Sequence, residues 1–328
     1  AGWIYRHVFI DLIGDLHGKF GIERHLDRYL RGINGGRQVE VNVSGQVVRT
    51  LKTVEAKQGQ EVFLTIDTMV QQKAEELLEG KIGAAVAVEP DTGHILALAS
   101  SPSFDPRSFV GGISREQWNK LITHPEHPLG NKAIQGEYPP ASTYKIITAM
   151  AGLEEGVIDE STTFFCPGYF VYGGNVFRCW KKGGHGTVNV VKGITESCDV
   201  FFYQVGKRLG VDRIAWYAKA CGLGSPTGIG LDREGDGLIP TAAWKKNRTG
   251  VPWQGGETIS IAIGQGYNLV TPLQMAILTA AVANGGTLCK PLTYSMVKSP
   301  GGELIRKGEI EITGKIPVSS KTLELVRK

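Results

Sequence analysis

The sequence predicts an α+β protein in which helices cover a central sheet and a small α+β subdomain precedes them. Its 328 residues are enough chain for about two domains. Two apolar runs, 83–88 and 94–99, flank the turn-forming segment 89–93 and are typical of two paired strands. Helical patterns dominate the later part of the chain, over residues 142–155, 188–196, 200–209, 212–220 and 271–284.

We expect the small subdomain to span residues 1–60 and the larger domain to span residues 61–328. Residues 21–34 are charged and helical in period, and a Gly-Gly pair follows them. Beyond that pair, valines alternate with polar residues on both sides of a Ser-Gly-Gln turn, which predicts a hairpin. These valines are Val39, Val41, Val43, Val47 and Val48. The subdomain is predicted to end near Gly59.

The larger domain is predicted to begin with a strand and a capped helix. The run 62–66 has strand character, and Asp67 is placed to cap a helix that continues to Leu78 and ends at Gly80. The two apolar strands that follow have no polar face. We therefore expect helices to cover the sheet that they form.

Composition and charge restrict the class of protein. The chain is 41% hydrophobic and 21% charged, which is typical of a folded protein. Its 36 Lys and Arg residues are scattered and leave a net charge of only +4, so nucleic acid is not an expected partner. No stretch approaches the roughly 18 apolar residues of a membrane span. Residues 1–6 also lack the pattern of a signal peptide.

The segment that starts at Ser142 carries the strongest catalytic signal. Two prolines keep the approach extended, and Ser142 then opens a predicted helix in which Lys145, three residues later, shares its face. An amine in this position can take the serine proton, and the N–H groups of the helix start can hold an oxyanion. The alternative is a plain helix cap with a surface lysine. The same spacing recurs at Ser295 and Lys298, but on a predicted strand these residues point to opposite faces.

Ser197 and Asp199 form a second polar pair, between two predicted helices. Residues two apart do not share a helical face, so both can point to one site only if the segment is a loop or extended. There the hydroxyl would relay a proton, and the carboxylate would orient the lysine or a substrate amide. The alternative is that Asp199 caps the helix that follows, and the two roles are compatible.

These residues and their surroundings resemble the class B penicillin-binding proteins, and among them the elongation-type enzymes. An S-x-x-K motif at Ser142 followed by an S-x-N/D motif at Ser197 is typical of the penicillin-recognising serine enzymes. The resemblance covers nearly the whole chain from about Gly21 onward. The other matching segments are Leu30-Arg31-Gly32 with Gly36-Arg37, Glu89-Pro90-Asp91-Thr92-Gly93, Tyr138-Pro139-Pro140-Ala141, Cys166-Pro167-Gly168, Gly183-Gly184-His185-Gly186 and Ile263-Gly264-Gln265-Gly266.

The resemblance implies a fold and an activity. The fold is a β-lactamase-like sandwich of a central antiparallel sheet with helices, preceded by a pedestal or dimerisation-type subdomain. Ser142 would attack the D-alanyl-D-alanine carbonyl of a peptidoglycan stem peptide, Lys145 would take its proton, and the amine of a second stem peptide would resolve the acyl-enzyme. Ser142, Ser197 and Asp199 would also bind the substrate, and Asp199 stands where most members have Asn. A β-lactam would acylate the same serine.

The resemblance also implies partners and a location. Stem peptides and β-lactams are the expected ligands, and no cofactor is required for the chemistry. The expected protein partner is the glycan polymerase of the elongation machinery. The family's catalytic unit is periplasmic and is held at the bacterial inner membrane by an anchor, which this chain does not show.

One motif of the family does not occur in the sequence. The third motif, Lys-Thr/Ser-Gly on a core strand, would supply an oxyanion donor and a second cation. We therefore expect the C-terminal part of the transpeptidase domain to be missing, which leaves the activity of this chain itself open. The competing functions are a serine β-lactamase, with Glu234 or Glu257 as candidates for activating water, a β-lactam sensor, or an inactive scaffold.

Three cysteines and a histidine have a spacing that suits a metal site. Cys166, Cys179, His185 and Cys198 follow the pattern Cys-x12-Cys-x5-His-x12-Cys. Three thiolates and an imidazole would fill a tetrahedral structural zinc site and leave no open position. The alternatives are a Cys166–Cys179 disulfide, natural in an oxidising compartment, and buried free thiols. Since Cys198 lies inside the S-x-D motif, a metal would hold the catalytic loop, and Trp180 is a candidate for lining the cleft.

Overall fold

The structure, a computed structural model, describes residues 9–10, 16–42, 46–110 and 112–328. It confirms the predicted α+β class, because helices pack with antiparallel strand pairs and one three-stranded sheet. The described strands are β1 Phe9–Ile10, β2 Leu16–His17, β3 Gly36–Val41, β4 Val47–Val54, β5 Glu61–Leu64, β6 Gly83–Val88, β7 Ile95–Ser101, β8 Phe164–Cys166, β9 Tyr169–Tyr172, β10 Asn175–Arg178, β11 Gly186–Val188, β12 Thr287–Cys289, β13 Tyr294–Lys298, β14 Leu304–Lys307 and β15 Ile312–Lys315. The described helices are α1 Gly21–His25, α2 Asp27–Leu30, α3 Thr68–Leu78, α4 Arg115–Ile122, α5 Lys145–Glu154, α6 Val190–Thr195, α7 Asp199–Leu209, α8 Val211–Ala220, α9 Ala242–Thr249, α10 Gly255–Ile261, α11 Pro272–Ala283 and α12 Ser320–Arg327, with 3₁₀ turns at Pro106–Phe109 and Ala141–Tyr144.

The N-terminal region combines short helices with an exposed hairpin. The helix predicted over 21–34 is confirmed only as far as Leu30, because the backbone of Arg31 is extended, with ψ 124°. β3 and β4 form the predicted antiparallel hairpin, although its turn, with Val43, lies outside the described residues. β4 is exposed along its whole length, so the hairpin lies outside the main core.

A three-stranded sheet connects the N-terminal region to a distant part of the chain. Its order is β14-β13-β5, and both pairings are antiparallel. Leu26, between α1 and α2, packs with Val62, Tyr294 and Val297 in a small second core. The strand predicted over 62–66 therefore joins a sheet whose other members come from the end of the chain.

The two apolar strands pair as the sequence predicted. β6 and β7 are antiparallel and are joined by a tight turn that ends at Gly93, which has φ 73°. A Cβ at Gly93 would lie 2.5 Å from the Lys290 carbonyl oxygen, so the turn requires a glycine. Asp67 caps α3 as predicted, because its carboxylate accepts the N–H groups of Met69 and Val70. α3 packs against both strands and α11 packs against β6, which confirms that helices cover the pair.

The helical core is arranged around α5, which is almost entirely buried and packs against α6, α7, α8 and α12. Four of the predicted helices are confirmed to within two residues at each end, as α6, α7, α8 and α11. The helix predicted over 142–155 is different, because it begins with the 3₁₀ turn Ala141–Tyr144. Ala141 has a left-handed backbone, with φ 50°, which prevents a regular α-helix from extending back to the prolines.

Two short strand pairs lie against α7. β8 pairs with β11, and β9 forms a hairpin with β10. Strands of both pairs contact α7, so their ends lie beside the start of the helix that carries Asp199. Within the described part of the chain, none of the helices combines the length and the apolar run that crossing a bilayer requires.

Candidate active site

The chain reaches Ser142 through a segment that is held by two backbone contacts. The N–H of Tyr138 donates to the Val270 carbonyl at 2.9 Å, and the N–H of Ala141 donates to the Gly264 carbonyl at 2.9 Å. A Cβ at Gly264 would lie 2.3 Å from the Ala141 oxygen, so no larger residue fits there. These contacts determine the backbone position immediately before Ser142.

Lys145 lies beside Ser142, as the i, i+3 spacing predicted. Its Nζ is 3.2 Å from Ser142 Oγ, and the lysine side chain is only 2% exposed, so the surface-lysine alternative is wrong. Nζ also donates to the carbonyl and the Oγ of Ser197, both at 2.9 Å, and to Oδ1 of Asp199 at 2.6 Å. These contacts hold the amine against the Ser142 hydroxyl.

Ser197 and Asp199 face one site because the chain between α6 and α7 is not helical. Ser197 has a left-handed backbone, with φ 52°, and Cys198 is extended and is the N-cap residue of α7. Ser197 Oγ donates to Ser142 Oγ at 3.0 Å. Oδ2 of Asp199 accepts the backbone N–H of Trp180 at 3.0 Å, and Oδ1 accepts from the lysine. The interpretation of Asp199 as the cap of α7 is therefore wrong.

A cleft of about 600 Å³ opens over these side chains. It confirms Trp180 as a lining residue. Ile263 and Gln265 also line it, and they belong to a segment that already carried the family resemblance. Arg178 and Tyr203 are lining residues that the sequence analysis missed, because nothing in their local pattern distinguishes them from surface or core residues. The complete lining is Ser142, Arg178, Cys179, Trp180, Ser197, Asp199, Tyr203, Ile263 and Gln265.

Trp180 connects the S-x-D loop to the cysteines. Its indole N–H donates to the carbonyls of Glu196 at 3.1 Å and Ser197 at 3.0 Å. Its ring meets His185 edge-on, with centroids 5.5 Å apart. The backbone N–H of Trp180 also donates to Asp199, so Trp180 contacts both ends of the S-x-D loop.

The predicted metal ligands come together in the interior beside this loop. One ligand atom from each of Cys166, Cys179, His185 and Cys198 lies within 4.8 Å of the others, and all four residues are buried. The cysteines are free thiols, so the Cys166–Cys179 disulfide is not formed. Nδ1 of His185 is 3.5 Å from the Sγ atoms of both Cys166 and Cys179. Its Nε2 is buried without a hydrogen-bond partner and lies 3.9 Å from Oε2 of Glu196.

Burial controls the charge of several groups around the cleft. It lowers the pKa of His185 and raises the pKa of the Cys198 thiol. Burial also raises the pKa of Tyr203, whose hydroxyl therefore keeps its proton and donates it to the Arg178 carbonyl at 3.0 Å. Asp199 and Arg178 are the charged residues that line the cleft, and Lys145 pairs with Asp199.

The two glutamates considered for a β-lactamase mechanism do not line the cleft. Glu234 accepts from the N–H and hydroxyl groups of Thr227. Glu257 pairs with the buried Lys245, at 2.6 Å. Glu234 therefore stabilises a loop and Glu257 joins α10 to α9, and neither is placed to activate a water beside Ser142.

Comparison with known sequences identifies two family matches. Residues 83–328 match the penicillin binding protein transpeptidase domain, and residues 11–64 match the penicillin-binding protein dimerisation domain. The chain is 45% identical over 276 residues to the peptidoglycan D,D-transpeptidase MrdA of Escherichia coli (strain K12). This match covers 84% of the chain and 44% of that relative, so the chain spans less than half of its length.

Solved structures agree with the sequence matches. Penicillin-binding protein 2 of Pseudomonas aeruginosa, in complex with WCK 5153, superposes with a TM-score of 0.81 at 32% identity, over 98% of this chain and 69% of that chain. Penicillin-binding protein 2 of Helicobacter pylori, in complex with MreC, gives a TM-score of 0.82 at 33% identity, over 95% and 56%. The chain belongs to the penicillin-binding protein transpeptidase family.

Proposed function

We propose that the chain is the catalytic part of an elongation-type peptidoglycan D,D-transpeptidase, which cross-links stem peptides through an ester on Ser142. The observation that carries this proposal is the contact of Ser142 Oγ with both Lys145 Nζ, at 3.2 Å, and Ser197 Oγ, at 3.0 Å, in an open cleft. In this proposal residues 1–60 form the pedestal and residues 61–328 the transpeptidase domain.

Acylation begins when the amine of Lys145 takes the proton of Ser142. Oγ then attacks the carbonyl carbon between the two D-alanines, the peptide bond breaks, and the proton is returned to the departing D-alanine amine. Oδ1 of Asp199 and the Ser197 carbonyl stabilise the transient ammonium, because they lie 2.6 and 2.9 Å from its nitrogen. The N–H of Ala141 is occupied by the Gly264 carbonyl, whereas the N–H of Ser142 has no intrahelical acceptor and can hold the oxyanion.

Deacylation follows the same path in reverse, with a different amine. The amine of a second stem peptide loses a proton to Lys145 and attacks the ester carbonyl, which forms the new peptide bond. Ser142 leaves as the alkoxide and regains the proton from Lys145. A β-lactam would enter the same path at the first step, because its ring amide is opened by Ser142 and the ester remains on the protein.

Mass spectrometry of the intact full-length protein after penicillin treatment tests this proposal. We expect a mass gain of one penicillin in the unmodified protein and none in Ser142→Ala. Ser295→Ala is the matched control, since Ser295 has the same S-x-x-K spacing but bonds to the Phe63 carbonyl at 3.2 Å on a strand. Labelling that survives in Ser142→Ala would contradict the assignment of the nucleophile. Rapid loss of the adduct would indicate a β-lactamase.

We propose that Cys166, Cys179, His185 and Cys198 hold a structural zinc ion. The donor set supports this proposal, because three buried sulfurs and Nδ1 of one imidazole lie within 4.8 Å of one another. Glu196 would support the imidazole from the side of Nε2. The ion would supply no chemistry to the reaction and would hold Cys198, and with it the S-x-D loop, in place.

Metal analysis of protein purified without chelator tests the zinc proposal. We expect close to one equivalent of zinc, and fewer than about 0.1 equivalents would contradict the site. His185→Ala is expected to remove the metal. Cys221→Ala is the matched control, because Cys221 is a buried thiol outside the cluster.

We also propose that the full-length protein is periplasmic, is anchored to the inner membrane and works with a glycan polymerase of the elongation machinery. Family membership and the MrdA relatives support this proposal. The Helicobacter pylori homologue, which was solved as a complex with MreC, also supports an assembly of this kind. Membrane fractionation followed by cross-linking tests it. Recovery of the full-length protein in the cytoplasmic fraction would contradict the location.

A further inference from the structure

The cleft beside Ser142 contains a cation that the proposed chemistry does not use. Arg178 is the last residue of β10, its side chain is exposed, and it lines the same cleft as the nucleophile. Among the described residues, no acidic side chain pairs with its guanidinium group and no side-chain hydrogen bond holds it. Its guanidinium donors are therefore available to a ligand that enters the cleft.

The other charged residue that lines the cleft already has partners within the protein, which leaves Arg178 as the charged group available to a ligand. Asp199 is the other charged lining residue, and both of its oxygens are occupied, Oδ1 by Lys145 at 2.6 Å and Oδ2 by the Trp180 N–H at 3.0 Å. Asp199 is therefore fully engaged by groups of the protein itself. Among the described residues that line the cleft, Arg178 is the charged group without a partner, and an anionic ligand group is favoured beside it.

The backbone at Arg178 is held at a defined position relative to the catalytic loop. Its carbonyl accepts the hydroxyl of Tyr203 at 3.0 Å, and the next N–H, that of Cys179, donates to the Gly168 carbonyl at 2.9 Å. Tyr203 lies one turn after Asp199 on α7. An arginine held in this way is suited to a planar, two-oxygen partner, because its donors form a fork that matches a carboxylate.

We propose that Arg178 binds a carboxylate of the acyl-donor peptide while the carbonyl carbon of that peptide lies at Ser142, and so selects acidic donors. This inference rests on the proposed transpeptidase function. A peptide that ends in D-alanine carries one carboxylate in the leaving group. A diamino acid with two carboxyl groups places another in the acyl part. Both sources present the same planar anion.

Thioester donors of a D-alanyl peptide distinguish the two sources in the full-length protein. The leaving group is mercaptoacetate or mercaptoacetamide, and the acyl part carries a side-chain carboxylate or its amide. We expect Arg178→Gln to slow acylation of Ser142 roughly 10- to 100-fold for donors with the recognised carboxylate. The matching amide donors should change by less than about twofold. Arg178→Lys should recover part of the loss, because it keeps the charge and loses the fork.

The matched control is Lys182→Gln, which removes an exposed cation that is close in sequence but does not line the cleft. A loss confined to the mercaptoacetate donors assigns the leaving-group carboxylate, and a loss confined to the acidic acyl donors assigns the internal one. An equal loss for acid and amide donors, or the same loss in Lys182→Gln, would overturn the inference. If no donor acylates the unmodified protein, the proposed function itself is wrong, which is a distinct result.

Discussion

The Nζ nitrogen of Lys145 lies 2.6 Å from Oδ1 of Asp199, and the two side chains are 2% and 13% exposed. A charge removed from water at this depth is costly unless a partner of opposite sign accompanies it. The pair spans 54 positions of sequence, so it also fastens α7 to the start of α5. It therefore serves both the position of the catalytic amine and the stability of the core.

Replacing Asp199 by Asn keeps the size of the side chain and removes its charge. We expect the free energy of unfolding to fall by about 1–3 kcal/mol, because the buried contact between Lys145 and Asp199 loses its charge-assisted hydrogen bond. Penicillin acylation of Ser142 should slow about tenfold or more, because the transient ammonium loses its anionic partner. Urea denaturation and mass spectrometry measure the two effects. Asp212→Asn, at an exposed carboxylate that accepts one N–H from Ala242, should change neither.

Replacing Trp180 by Phe tests the bonds that hold the S-x-D loop. The substitution keeps an aromatic ring against His185 and removes the indole donor to the carbonyls of Glu196 and Ser197. We expect acylation to slow about 2- to 10-fold, with a small change in unfolding free energy. Trp216→Phe is the matched control, because Trp216 is exposed on α8 and packs on Tyr217. Equal acylation rates in both variants would refute a positioning role for Trp180.

Removal of zinc is expected to slow the reaction, although the proposed ion would not contact any reacting atom. After treatment with 1,10-phenanthroline, acylation of Ser142 by penicillin should fall about tenfold, and added zinc should restore it. The reason is that Cys198 is the N-cap residue of α7 and lies between Ser197 and Asp199. A chelated protein that has lost its zinc and still reacts at the original rate would disprove this coupling.

The carboxyl group of Asp159 is expected to make the stability of the folded protein depend on pH. Hydrogen bonds from Thr162 and Ser161 lower the pKa of this carboxyl from 3.8 to about 2. Since the folded pKa is lower, the unfolded state binds more protons between these values, and stability rises with pH there. The contribution is fully present above about pH 4 and is lost toward pH 2. The melting temperature of the unmodified protein should therefore exceed that of Asp159→Asn by a margin that shrinks as the pH falls from about 4 to about 2. A margin that stays constant as the pH falls would contradict the prediction.

Much of the site could be predicted because the relevant spacings are local. Ser142 and Lys145 are one turn apart, so a helical turn of either kind brings their side chains together. The metal ligands were recognisable from residue type and spacing, and the fold brings them together. The boundary between the 3₁₀ turn and α5 was not predictable, because it depends on the left-handed Ala141 and its contact with Gly264.

By itself, the sequence determined the strand pair, the capped helices and the identity of the two hydroxyls, the amine and the carboxylate. These features depend on short-range periodicity and on residue chemistry, which are visible along the chain. Only the tertiary structure decided what Asp199 contacts, that the cysteines stay unpaired, and that Arg178 and Tyr203 reach the cleft. The reason is physical: packing of β10 against α7 brings together side chains that are far apart in sequence. The local sequence around each of them does not indicate which other side chain it will contact.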